Sequence, residues 1–286
     1  MTRPYAEVIG DPIAHSKSPL IHNFWLGKLG IDAEYRACHV RSDELADYFT
    51  RKREDADWRG CNVTMPHKQA VQVAVDAVDD DARRIGAINT IVHSHDVGRA
   101  GGLVGFNTDA AGFIEPLVPL LGDERDRFAY VMGSGGAARA IIDALFEAEF
   151  LIFSISRDRD KARREFLAYL GDDEDFLLEF DDLHAGDLRP ADPDVFSVWV
   201  NATPLGMSGQ PPLPMVWGPV FENSVIYDIV TNPAQTPLLL EANLRGLRTI
   251  DGLAMLIGQA AVAFEKFFGQ PAPREHDGEL RALLTA

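Results

Sequence analysis

A short apolar run that stops at a glycine turn and leads straight into a helix constrains this chain more than any other feature. Phe128–Met132 is apolar throughout, and G-S-G-G-A-A-R follows at 133–139. A short apolar run bounded by glycine reads as a buried strand, and 137–149 carries a helical pattern. Gly133, Gly135 and Ala138 fit G-x-G-x-x-G/A. The first glycine allows the tight turn, the second lets a pyrophosphate approach the backbone, and the small third residue lets helix and strand pack closely. Phosphates would then lie on the free N–H groups of the helix start. A structural turn accounts for the glycines alone. The strand before them and the helix after them favour a dinucleotide site over 133–137, that is Gly133, Ser134, Gly135, Gly136 and Ala137.

The end of the next strand, Phe150–Ile155, selects the nucleotide. An acid at such a tip grips a ribose hydroxyl and indicates NAD. Here Ser156 holds the tip, Arg157 follows and Lys161 lies four residues on. A guanidinium forks and stacks on a 2′-phosphate, and an ammonium adds point charge. The expectation is NADP, with Asp158 as the residue that argues for NAD.

The rest of the chain alternates in the same way. Strands are expected at Tyr5–Ile9, 33–40, 60–64, 196–200 and 225–230. Helices are expected from Ser18-Pro19 to Gly30, from Ser42, from Pro66 through Val78, and from Asp251 onward. Alternation of this kind means mostly parallel, buried sheets. The 286 residues suggest two domains, and the boundary falls near residue 110, beside a helix beginning T-D-A-A-G-F. The Pro/Gly-rich stretch 205–215 reads as a flap.

Composition removes several function classes. Twenty-seven basic residues against 44 acidic ones give a net charge of −17. Nucleic-acid and anionic-membrane partners need clustered cations and are not expected. Cys38 and Cys61 are too few for a disulfide framework. No apolar run is long enough for a membrane helix, and a cytoplasmic protein is expected. The eight histidines, His93 and His95 included, form no ligand-spaced cluster, so no metal is expected.

Seven strings occur in order: G-D-P-I-A-H-S-K-S-P at 10–19, N-V-T-M-P-H-K at 62–68, G-A-I-N-T at 86–90, G-F-N-T-D at 105–109, V-M-G-S-G-G-A at 131–137, N-A-T-P-L-G-M at 201–207 and D-G-L-A-M-L-I-G-Q-A at 251–260. Together they resemble the shikimate dehydrogenase family over nearly the whole chain. The resemblance implies an α/β protein of two domains. An N-terminal α/β substrate domain (1–110) is completed by C-terminal helices (252–286), and 111–251 is a Rossmann NADP-binding domain. It also implies an oxidoreductase that reversibly reduces 3-dehydroshikimate to shikimate with NADPH, in aromatic amino-acid biosynthesis.

Lys68 and Asp109 are by resemblance the catalytic pair. Lys68 is expected in the first turn of the helix after Pro66, where the positive helix end disfavours its charged form. Ser16 and Ser18 flank the start of the first helix, a small anion site without a net cation. The resemblance assigns both to the substrate carboxylate, although Ser18 reads equally as a helix cap. His15 and Lys17 read as local loop residues. Thr64, Asn89 and Gln259 are similar to family residues that hydrogen-bond the ring hydroxyls. Ala202 and Thr203 match cofactor contacts, and Ile229 and Gly252 the nicotinamide region. One position departs from the family pattern: D-I-V-T-N-P-A-Q-T-P has Thr231 where Tyr is common, which keeps a hydroxyl and loses the ring.

Rival readings are a quinate/shikimate dehydrogenase using NAD, a non-catalytic sensor of NADP or of a shikimate-like ligand, and a folate dehydrogenase of similar plan. The intact Lys68 and Asp109 argue against the sensor, and the serine pair against the folate enzyme. A small-molecule substrate, a monomer or homodimer, and closure about segments near Asp109 and Gly252 complete the expectations.

Overall fold

The computed structural model describes residues 3–94, 102–122, 126–170, 176–180, 182, 195–218 and 220–286. Two compact units divide the chain, Met1–Asp109 with Ile257–Ala286, and Ala110–Leu256.

The first unit is built on six strands: β1 (Tyr5–Gly10), β2 (Glu34–His39), β3 (Trp58–Val63), β4 (Ala77–Val78), β5 (Thr90–Ser94) and β6 (Gly102–Phe106), in the spatial order β2-β1-β3-β5-β6-β4. Helices α1 (Ser18–Leu29), α2 (Leu45–Arg53) and α3 (Asp80–Ile85) connect them. β1 pairs in parallel with β2 and β3, whereas β5 runs antiparallel to both β3 and β6. Five of these six strands therefore run in one direction, as expected of a mostly parallel sheet, and β5 is reversed. The step from Ser94 to Gly102 is too short for the dozen or more residues of a parallel crossover, so the chain returns as a hairpin.

Two expectations change. The segment after Pro66 is not a helix through Val78. It holds a 3-10 turn at Ala70–Ala74 and then β4. Q-A-V-Q-V-A-V carries three valines in seven residues, with Val71 buried and Val73 exposed. Its β-branched residues are poor helix formers. At α1 the cap position is Lys17, and no side chain caps the helix. Ser18 is instead the first helical residue, and its N–H donates to Ser16 Oγ at 3.3 Å. Pro19 and Gly30 fill their expected places, Gly30 in the left-handed region at φ 64°.

The second unit opens with α4 (Asp109–Ile114), whose first residue belongs to the first unit. Then come β7 (Arg127–Met132), α5 (Gly136–Glu147), β8 (Leu151–Ile155), α6 (Arg159–Leu170), β9 (Leu177–Leu178), β10 (Phe196–Asn201), β11 (Ser224–Asp228), α7 (Pro237–Leu244) and β12 (Arg248–Ile250). All five strand pairings are parallel, in the order β9-β8-β7-β10-β11-β12. This is the doubly wound order with its switch point between β7 and β10. Period-2 alternation splits these strands between two cores. Ala129, Val131, Val198, Val200, Val225 and Tyr227 face one, and Tyr130, Met132, Trp199 and Ile226 the other. A parallel sheet buried on both faces needs such continuous apolar runs.

Helix α8 (Gly252–Phe268) starts in the second unit and ends in the first, and α9 (Asp277–Thr285) closes the chain. The return to the first unit falls at Ile257 rather than at residue 252. Met255 packs into the core of the second unit, while Ala263 and Phe267 pack on Ala6, Val8 and Tyr35.

Candidate active site

In the first unit, strand register gathers the expected residues at one sheet edge. β1 and β3 are parallel with Ile9 opposite Val63, so the loops carrying Ser16 to Ser18 and Thr64 to Lys68 leave from the same end. β5 is antiparallel to β3, with Asn62 opposite Thr90, so Asn89 enters at that end too. Thr90 in turn faces Phe106, and Asn107, Thr108 and Asp109 follow it. Carboxyl ends of parallel strands are the usual binding edge of such sheets.

Side-chain bonds join the members. Lys68 Nζ donates to Asp109 Oδ2 at 2.5 Å, and Asn89 Nδ2 donates to Asp109 Oδ1 at 2.9 Å. The Lys68 side chain is 18% exposed and that of Asp109 9%. The Asp109 N–H is held by Asn107 Oδ1 at 2.9 Å. Lys68 is anchored through its carbonyl, which accepts from Ile88 N–H at 2.8 Å. Asn89 Oδ1 accepts from Thr108 N–H at 2.8 Å, and the Thr108 hydroxyl reaches Gln259 Oε1 at 3.4 Å. No helix start stands beneath Lys68, so the expected dipole effect on it has no source. The chemistry the arrangement offers is a proton-carrying amine held by a doubly bonded carboxylate.

Thr64 sits on the same loop, its methyl packed so closely on Gly10 that a Cβ there would lie 2.5 Å from it. Buried His67, with Nε2 2.6 Å from the Val40 carbonyl, anchors the loop. Ser16 and the buried Ser18 stand at the start of a twelve-residue helix with no acid in its first turn. The Lys17 ammonium is tied to the Leu284 carbonyl at 2.9 Å.

In the second unit the glycine turn fits a dinucleotide. Gly133 has φ 117°, and a Cβ there would come 3.0 Å from the Ala202 carbonyl oxygen and Thr203 Cγ2 across the switch point. A Cβ at Gly135 or Gly136 would meet nothing within 4 Å, so the turn leaves open space. Ala138 is fully buried against the sheet. Ser134 and Ser156 share a hydrogen bond at 3.3 Å, and partly buried Ala137 is the second residue of α5. Asp158 Oδ1 accepts from Lys161 N–H at 2.8 Å, which makes it the cap of α6. Arg157 and Lys161 are exposed, and neither charge has a partner among the described residues.

Gly252 has a steric reason of its own: a Cβ would lie 2.4 Å from the carbonyl oxygens of Ile229 and Val230. Thr231, half-buried, lies just past β11. A buried network at this strand end was not expected from single residues. Asp228 accepts from Thr236 Oγ1 (2.6 Å), Asn201 Nδ2 (2.9 Å) and Val230 N–H (3.0 Å). Burial pushes its carboxyl up, against those donors. The string D-I-V-T-N-P-A-Q-T-P contained the signal, since Asp228 and Thr236 open and nearly close it. Stretch 205–215 is irregular, with Leu213 buried.

Among the described residues no group of His, Cys, Asp or Glu is placed to hold a metal. His93 stacks edge-on against Trp58. His95 and His184 lie outside the described residues. No helix among the described residues is long and apolar enough to cross a membrane.

Doubly wound sheet, glycine turn and a separate α/β unit bearing an ammonium–carboxylate pair define a two-unit, dinucleotide-dependent oxidoreductase. Comparison with known proteins narrows the class. Residues 8–91 match the shikimate dehydrogenase substrate binding domain, and 252–276 the shikimate 5'-dehydrogenase C-terminal domain. A shikimate dehydrogenase (NADP(+)) of Sphingopyxis alaskensis is 50% identical over 99% of this chain and 97% of its own length. One from Methylobacterium radiotolerans is 42% identical over 99% and 97%. The crystal structure of shikimate 5-dehydrogenase from Thermus thermophilus, in complex with NADP(H) and shikimate, superposes with a TM-score of 0.81 at 32% identity, covering 98% of this chain and 99% of that one. The chain belongs to the shikimate dehydrogenase family.

Proposed function

We propose that this chain is an NADP-dependent shikimate dehydrogenase that interconverts 3-dehydroshikimate and shikimate. The observation that carries the reading is the Lys68–Asp109 pair, bonded at 2.5 Å at the sheet edge where the family strings meet. NADP, when bound, supplies the hydride acceptor or donor. In reduction the Lys68 ammonium gives a proton from Nζ to the oxygen becoming a hydroxyl; in oxidation its amine form takes that proton back. Asp109 holds Nζ in place with one oxygen while the Asn89 amide holds the other. A positioned group of this kind is worth about 100- to 10,000-fold in rate.

Ser16 and Ser18 bind the substrate carboxylate, using hydroxyls and the helix start in place of a cation. Thr64, Asn89 and Gln259 bind the ring hydroxyls, since a polyol is selected by a fixed set of donors and acceptors. Thr231 adds a hydroxyl to the substrate. Gly133 to Ala137 hold the pyrophosphate, Ser156, Arg157 and Lys161 the 2′-phosphate, and Ala202, Thr203, Ile229 and Gly252 the rest of the cofactor. The open space at Gly135 and the unpaired charge of Arg157 support this fit. A cytoplasmic location and a monomeric or dimeric state belong to the same reading.

Initial-rate kinetics with shikimate and quinate, each against NADP+ and NAD+, test the proposal. Shikimate with NADP+ is the expected best pair. One observation favours a second reading. Thr231 stands where the family pattern commonly has tyrosine, and faster turnover of quinate or another ring acid would establish that alternative.

A further inference from the structure

Beneath the Lys68–Asp109 pair runs a line of buried polar side chains that reaches Asn89 through Tyr35, Asn62 and Thr90, which lie outside the set assigned above. Tyr35 OH donates to Asn62 Oδ1 at 2.6 Å. Asn62 Nδ2 donates to Thr90 Oγ1 at 2.9 Å, and Thr90 Oγ1 donates to Asn89 Oδ1 at 2.9 Å. Asn89 Nδ2 then donates to Asp109 Oδ1 at 2.9 Å. Tyr35, Asn62, Thr90 and Asn89 are all buried.

The direction of this line is set by main-chain groups. Asn62 Nδ2 also donates to the Asn89 carbonyl at 3.3 Å, which can only accept, so the Asn62 amide cannot turn over. Thr108 N–H, which can only donate, fixes Asn89 Oδ1 in the same way. Thr90 accepts from Asn62, and the nearer acceptor for its one proton is Asn89 Oδ1 at 2.9 Å, with Thr108 Oγ1 at 3.4 Å. Every donor therefore points toward the carboxylate; without the Thr90 hydroxyl, Asn89 Oδ1 keeps only its bonds from Thr108, and Asn62 Nδ2 keeps only the Asn89 carbonyl.

We propose that Thr90, held by Asn62 and Tyr35, is a positioning residue that locks the Asn89 carboxamide with its amino group on Asp109. Thr90 touches neither reacting atom; it acts through Asn89 on the carboxylate that places Lys68 Nζ. The inference rests on the shikimate dehydrogenase reading for its rate consequence and on geometry alone for the lock. Misplacing a catalytic group by an ångström costs about 100-fold, and a loosened one less.

The test is Thr90→Val, which keeps the shape and removes the hydroxyl, beside Thr90→Ser and Tyr35→Phe. With shikimate and NADP+, Thr90→Val is expected to lower kcat by about 10- to 100-fold while KM for NADP+ stays within about twofold. Thr90→Ser restores the rate. Tyr35→Phe, which keeps the buried ring, lowers it by a smaller factor and serves if Thr90→Val does not fold. Hydrogen exchange of the Asn89 side-chain amide, assigned by its loss in Asn89→Asp, reads the lock without turnover. It is expected to quicken about tenfold or more in Thr90→Val and Tyr35→Phe. Unchanged exchange in the folded variants overturns the proposal, whether or not the unaltered protein oxidises shikimate. Native kcat in Thr90→Val also overturns it, without touching the functional reading. That reading fails only if the unaltered protein does not turn over shikimate.

Discussion

Asp109 is shared between two donors: Lys68 Nζ lies 2.5 Å from Oδ2, and Asn89 Nδ2 lies 2.9 Å from Oδ1. One oxygen fixes the carboxylate to the sheet edge and the other fixes the amine. Lys68→Met and Asp109→Asn are each expected to lower kcat by about 100- to 10,000-fold with NADP+ still bound. Breaking a part-buried pair also costs stability, so circular dichroism must show a folded protein at the assay temperature. Near-native kcat in either folded variant removes that residue from the chemistry.

The nucleotide preference is expected to reside in Arg157. Arg157→Ala should raise KM for NADP+ by about 10- to 100-fold, the size of one lost charge-assisted contact. KM for NAD+, which lacks the phosphate, should stay within about twofold. An equal effect on both cofactors would return Arg157 to the solvated surface.

Asp158 is expected to matter for stability and not for nucleotide choice, because its carboxylate caps α6. Asp158→Ala should cost about 1 kcal/mol in urea unfolding. The ratio of NADP+ to NAD+ efficiency should be unchanged, and a shift of that ratio would place the carboxylate on the ribose instead.

Thr231→Tyr restores the ring of the family pattern. It should lower KM for shikimate by about 2- to 10-fold, one hydrogen bond's worth, and leave KM for NADP+ unchanged. A raised KM for shikimate in the folded variant would mean that the pocket is built around a small residue.

His22 makes acid stability measurable. It is fully buried, stacks on Tyr35 at 4.0 Å, and neither ring nitrogen has a hydrogen-bond partner among the described residues. Burial lowers its pKa from 6.5 to about 3. The folded value lies below the unfolded one, so this group's contribution is fully present above about pH 6.5. It is lost as pH falls from there toward 3, by up to roughly 1.4 kcal/mol per pH unit. His22→Phe should flatten that part of the melting temperature–pH curve, and an unchanged slope would show that other groups carry it.

The sequence by itself determined the four central strands of the second unit and the helix after its glycine turn, but not α6, α7, β9 or β12. Its strands are continuous apolar runs and its turn demands glycine, so local chemistry and global packing agree. β7, β8 and β10 fall within a residue of their expected bounds and Ala138 is fully buried, whereas β11 ends at Asp228 instead of residue 230. In the first unit the strings named the candidate residues but not their setting. The helix expected at Lys68 is absent, because β-branched valines disfavour it and pairing with β6 takes the end of that segment as a short strand. Which oxygen of Asp109 meets Lys68, which way the Asn89 amide points, and that Tyr35, Asn62 and Thr90 stand behind it depend on residues far apart in the chain. Only strand register brings them together, and the burial that follows removes water as an alternative partner. Tertiary structure also decided the role of Asp158. A carboxylate after a strand tip suits a ribose or a helix start equally well in sequence, and only the geometry of the following N–H groups chooses the helix.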